Sequence, residues 1–169
     1  ITDLVFALHS LAPEVRRRVT LVLAGIDGGI EAPGLELEFL GTVPHHHMPD
    51  LYRLCDVFCY PTYPTPYWLE QWGIAVMEAM SSGLPVVTSD VGAFWEILPA
   101  EQHGWMVPAR NWSLLRSKLR DLVVSPSLRA PLGAQNRSRA CAEFGGYKAA
   151  QQYARALGLP VIAPFVAPP

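Results

Sequence analysis

The regular alternation of short apolar runs with helical stretches constrains this chain more than any other feature. Residues 20–25 form an apolar run that ends in Gly25, and residues 37–41 repeat the form before Gly41. Residues 56–61 give a third run stopped by Pro61, residues 85–89 a fourth, and residues 104–108 a weaker fifth. Continuous apolar runs of this length read as parallel strands buried on both faces. Between them lie helical patterns. Leu4, Ala7, Leu8 and Leu11 share one face over residues 3–11, residues 48–54 form a short helix, and a helix over 74–82 stops at Gly83 and Pro85. Asn111 is placed to cap a helix whose apolar face carries Leu115, Leu119 and Leu122. A last helical region, residues 127–157, breaks near Gly145-Gly146. Repeated β-α-β units predict an α/β fold, a Rossmann-like parallel sheet with helices on both faces. Half of the residues are hydrophobic and only 17% are charged, which suits strands covered on both sides.

Several function classes drop out at this level. The net charge is −2, so the basic footprint of a nucleic-acid binder is missing. No apolar run approaches the roughly 20 residues that span a bilayer, and no signal-peptide pattern opens the sequence, so a cytoplasmic domain is expected. The three cysteines, Cys55, Cys59 and Cys141, lack CxxC spacing and argue against a disulfide framework. His45-His46-His47 are adjacent on a loop without the spacing of a zinc site, so no metal is expected. Arg16-Arg17-Arg18 reads as a solvated helix end, with peripheral membrane contact in a longer enzyme as the alternative. The expected organisation is one domain over residues 1–158 and a proline-rich apolar tail over 159–169, which would lie against a partner surface. Opening on a helix, the domain is expected to lack its first strand and the loop after it.

In a parallel sheet, ligands collect at the carboxyl ends of the strands. The loop after the third strand ends in Glu70, followed by Trp72, Gly73 and the helix that carries Glu78. Glycine admits close backbone approach, and the free amides near Gly73, Ile74 and Ala75 form a natural phosphate site. Glu70 and Glu78 bracket that site. Glu78 suits the vicinal hydroxyls of a ribose, and Glu70 can face whatever the phosphate carries. Glutamates also favour first helical turns because of the helix dipole, so the pair alone does not decide. Trp68, Trp72 and Trp95 surround the segment. Their ordinary reading is core packing, with Trp72 alone expected near ligand.

The two glutamates with seven residues between them, the Trp72-Gly73 pair inside, and the following Glu78-Ala79-Met80 and Pro85-Val86-Val87 resemble the signature of the family-four (group 1) retaining glycosyltransferases of the GT-B fold. The resemblance extends to residues 39–44, to residues 51–58 (similar to "LY-x-x-ADV"), to residues 89–96 (similar to "SDVGG-x-x-E") and to residues 103–108. It covers roughly residues 1 to 158 and implies the C-terminal, donor-binding half of such an enzyme. By that resemblance, Glu70 is catalytic and contacts donor-sugar hydroxyls. The backbone of Trp72, Gly73 and Ile74 holds the distal phosphate and sugar, Glu78 binds the ribose, and the backbone of Val43 meets the base. Glu96 is structural. The donor would be a UDP-, GDP- or ADP-sugar, with no cofactor and no metal. The acceptor would be a saccharide or a lipid-linked saccharide, as in polysaccharide biosynthesis by a hexosyltransferase. The family's diphosphate-clamping Arg and Lys, and its N-terminal acceptor-binding domain, have no counterpart in these residues, which implies weak nucleotide binding and no transfer by this stretch alone. Two alternatives remain open: a nucleotide-sugar epimerase of GT-B architecture, and a non-catalytic nucleotide-sugar-binding module.

Overall fold

A computed structural model describes residues 1–160. The element order is α1 (Thr2–His9), α2 (Pro13–Arg16), β1 (Thr20–Ala24), β2 (Glu36–Gly41), a 3-10 turn (His45–His47), α3 (Met48–Leu54), β3 (Phe58–Tyr60), α4 (Ile74–Ser81), β4 (Val86–Ser89), α5 (Phe94–Ile97), a second 3-10 segment (Ala100–Trp105), β5 (Met106–Val107), α6 (Trp112–Val124), α7 (Pro126–Glu143) and α8 (Gly146–Ala156). Helices separate β2, β3 and β4 as read from the sequence, but β1 runs to β2 without a helix between them, and three helices follow β5 in succession. Residues 161–169, most of the proline-rich tail, lie outside the described residues.

All strand pairs are parallel, but they form two sheets rather than one. β1 pairs with β2, and β3-β4-β5 form the second sheet. β1 and β3 do not pair. Both line a cleft of about 990 Å³, along residues 19–24 on one wall and 56–61 on the other. The half-sheets nevertheless share a helix layer. Leu4 and Leu8 of α1, Leu11 just after it, and Leu115, Leu119 and Leu122 of α6 form one core, against which Leu21, Leu37, Val57 and Cys59 also pack.

Pleating divides β4 between two cores. Val87 joins the α1/α6 core, while Val86 faces Val76, Ala79 and Met80 of α4, Phe94 and Ile97 of α5, and Ala140 of α7. Burying one such side chain stabilises the fold by roughly 1.5–3 kcal/mol. α7 crosses the turn between α4 and β4 closely. Gly133 sits against the Gly83 carbonyl, and the buried Asn136 donates from Nδ2 to the Leu84 carbonyl oxygen at 2.8 Å. The expected cap on α6 is present, with Asn111 Oδ1 accepting from the Leu114 amide at 3.0 Å. Among the described residues, no helix is long and apolar enough to cross a membrane.

Candidate functional site

The site is built at the carboxyl end of β3 and the start of α4. Tyr60 closes β3, a proline- and aromatic-rich loop follows, and Gly73 caps α4. Gly73 adopts the left-handed conformation (φ 57°, ψ 57°), and a Cβ there would run into the ring of the fully buried Phe94. Conformation and packing therefore both demand glycine at this position.

Glu70 folds back onto the helix mouth. Its Oε1 accepts from the Gly73 amide at 2.9 Å and the Trp72 amide at 3.3 Å, and its Oε2 accepts from the Tyr60 hydroxyl at 2.7 Å. Burial by itself would raise the Glu70 carboxyl. The hydrogen bonds from Tyr60 and from the amides of Gly73, Trp72 and Gln71 outweigh it and hold the group below its ordinary range. The mouth is thus partly filled by a carboxylate of its own loop. Among the described residues the amides of Ile74 and Ala75 have no acceptor, and Ile74 is exposed.

Glu78 lies one turn into α4. Its Oε2 accepts from the Tyr52 hydroxyl of α3 at 3.0 Å, and His45 Nδ1 stands 3.8 Å from its Oε1. Tyr52 is buried, and its phenol is pushed well above its ordinary value by that burial and then by the bond to Glu78. Val43 precedes His45 by two residues, so the β2–α3 loop runs beside Glu78. Glu70, Trp72, Gly73 and Ile74 thus gather at the helix mouth, with Glu78 and the Val43 loop one turn away. Gly73 and Trp72 already give their amides to Glu70, which leaves Ile74 and Ala75 as the open donors.

The tryptophans differ from the core-packing expectation: Trp68, Trp72 and Trp95 are 48%, 46% and 51% exposed. Each is on a loop or short helix at the surface. Trp72 meets Phe144 edge-on at 6.5 Å, Trp95 packs on His103 and donates to Asp90, and Trp68 lines the cleft. Glu96 is held through its backbone, whose carbonyl oxygen accepts from Arg139. Among the described residues no group of three or more His, Cys, Asp or Glu side chains is arranged to hold a metal. Sequence reasoning missed Tyr60 and Tyr52. The signal available was a tyrosine at the last position of a strand or on the inward face of a short helix, beside each glutamate.

The family model described as "Glycosyl transferases group 1" matches residues 1–139. Among curated relatives, the phosphatidyl-myo-inositol mannosyltransferase of Mycobacterium leprae is 36% identical over 101 residues, covering 59% of this chain and 26% of that protein. The O-antigen chain mannosyltransferase B of Escherichia coli is 33% identical over 108 residues, covering 58% and 27%. The chain therefore spans about a quarter of the length of these relatives. In fold it is similar to Anabaena Alr3699/HepE, solved with UDP (TM-score 0.73, 23% identity) and with UDP-glucose (TM-score 0.71, 22% identity), in each case over 93% of this chain and 44% of the other.

Proposed function

Because this chain belongs to the group 1 glycosyl transferases, we propose that it is the donor-binding half of a GT-B enzyme that transfers a sugar, with retention, from a nucleoside diphosphate sugar. The observation that carries this reading is the pair of carboxylates, Glu70 and Glu78, on either side of a helix mouth whose Ile74 and Ala75 amides are open. Those amides take an oxygen of the distal phosphate, aided by the dipole of α4. Glu78, oriented by Tyr52, accepts from the ribose hydroxyls, and the backbone at Val43 meets the base. Trp72 and Gly73 act through Glu70, by fixing its carboxylate beside the sugar. As the diphosphate leaves, positive charge grows at the anomeric carbon, and an ionised, oriented Glu70 stabilises it. In this reading the transfer needs neither metal nor cofactor, and it takes place in the cytoplasm.

The full domain reaches further than the described residues. A parallel strand between β1 and β3, from sequence outside residues 1–169, completes the sheet, and an acceptor-binding domain closes over the carboxyl edge. The free edges of β1 and β3 and the apolar cleft between them support the inserted strand. In the longer protein, the amides on the cleft side of β1 and β3 are expected to be protected from hydrogen exchange. Rapid exchange there would count against an inserted strand.

Calorimetric titration of UDP-, GDP- and ADP-sugars tests donor binding. One of them binds, and Glu78→Ala weakens it by about tenfold, the loss of one charge-assisted hydrogen bond. Equal affinity in both proteins would remove Glu78 from the site.

A further inference from the structure

Tyr60 is the last residue of β3, and Pro61 ends the strand behind it. Its ring stacks on Phe58 at 6.2 Å and meets Phe94 edge-on at 6.0 Å. Phe94 is fully buried and lies beneath Gly73. The phenol is therefore placed by the sheet and the core, not by the exposed loop. From there it reaches Oε2 of Glu70, while the Trp72 and Gly73 amides, at the turn into α4, donate to Oε1. The end of β3 and the capping turn before α4 each hold one oxygen of the same carboxylate. Tyr60 also lines the cleft at the carboxyl end of the strands.

We infer that Tyr60 is a positioning residue for glycosyl transfer: its hydroxyl fixes the orientation and the ionised state of the Glu70 carboxylate beside the donor sugar. This rests on the reading of Glu70 as the sugar-facing carboxylate. A phenol that donates to a carboxylate stabilises the anion and gives nothing comparable to the acid. The donor itself keeps its proton, because burial and then Glu70 push the Tyr60 phenol up to about 12. With Tyr60 in place, Glu70 keeps one geometry and remains charged into acid. Without it, Oε2 loses its only side-chain donor among the described residues, and the carboxylate is left to the backbone amides of the turn before α4.

The test uses the full-length protein that contains this chain, with UDP-glucose, GDP-mannose and ADP-glucose as donors. Release of nucleoside diphosphate is followed against pH for the wild type, Tyr60→Phe, Glu70→Gln and the double variant. Tyr60→Phe is expected to lower kcat about tenfold with little change in KM, the loss of one hydrogen bond to a charged group. The acid limb of its pH profile moves to higher pH. In the Glu70→Gln background the same substitution has no further effect on kcat. An unchanged kcat and acid limb in Tyr60→Phe would overturn the inference, as would an equal fold loss with and without Glu70. A ¹³C titration of the Glu70 carboxyl gives a reading apart from turnover. It shifts upward in Tyr60→Phe if the hydroxyl holds the anion, and stays put if it does not. Wild-type protein that releases no nucleoside diphosphate from any of the three donors would overturn the proposed function itself.

Discussion

Gly92 lies directly beneath the backbone of Glu70: at φ +60° it presents no side chain, and a Cβ there would collide with the Glu70 carbonyl oxygen. The loop after β4 thereby sets the height of the loop that carries the carboxylate.

Gly92→Ala should for that reason disturb function more than an ordinary loop substitution. The added methyl meets backbone, which cannot swing aside, and the left-handed conformation adds strain. We expect a loss of about 2 kcal/mol in unfolding free energy. The acid-side pH profile should also change as Glu70 moves off Tyr60 and Gly73. Denaturant unfolding and the pH dependence of turnover measure the two effects, and a neutral variant would show that the loops do not press on each other.

Glu70 should make stability depend on pH in acid. Its carboxyl is held below its ordinary value of 4.5, so the folded state favours the ionised form. That contribution is fully present above the ordinary value and is lost as pH falls through the lowered folded-state value. The stability difference between wild type and Glu70→Gln, measured by urea unfolding, should therefore shrink in wild type's disfavour as pH drops from above the ordinary value of 4.5 to below it. A difference that stays constant over this range would mean that the carboxylate is not held.

Gly133→Ala reverses the usual rule for helices. Alanine in a helix interior normally stabilises by up to about 1 kcal/mol. Here the Cβ would strike the Gly83 carbonyl, where α7 crosses the α4–β4 turn. A net destabilisation of about 2 kcal/mol is expected by thermal or denaturant unfolding. A stabilised variant would mean that the crossing is looser than described.

Asn111→Ala should cost about 1 kcal/mol by removing the acceptor for the Leu114 amide, while Asn111→Asp or Ser should restore most of it. Unfolding midpoints of the three variants decide this.

The elements set by local chemistry were legible in the sequence. The helix over 48–54 has the expected ends, the Gly83-Pro85 stop places the end of α4 within one residue, and Asn111 caps α6. That Glu70 and Glu78 would flank the start of α4 was legible from the β-α junction, while their roles there belong to the proposed function. Long-range geometry was not legible. A strand's apolar pattern does not say which neighbour it pairs with, so the separation of β1 from β3 was invisible. The run over 104–108 keeps only Met106 and Val107 as strand, because a 3-10 segment occupies residues up to Trp105. The short helices α2 and α5, four residues each, offer too few positions for a period. Tyr60 escaped notice because strand alternation places its ring, and only the returning loop brings Glu70 within reach.

The anchoring of Glu70 from below has a consequence for how the segment before it can diverge. Residues 63–69 are exposed, and Thr65 and Trp68 close a small turn on each other through backbone bonds of 2.8 and 3.3 Å. None of those bonds reaches the carboxylate, which takes its position from Tyr60, Trp72 and Gly73. Lengthening, shortening or replacing that turn therefore leaves the acid group in register with its helix. A lineage can rewrite this exposed surface without moving the carboxylate underneath.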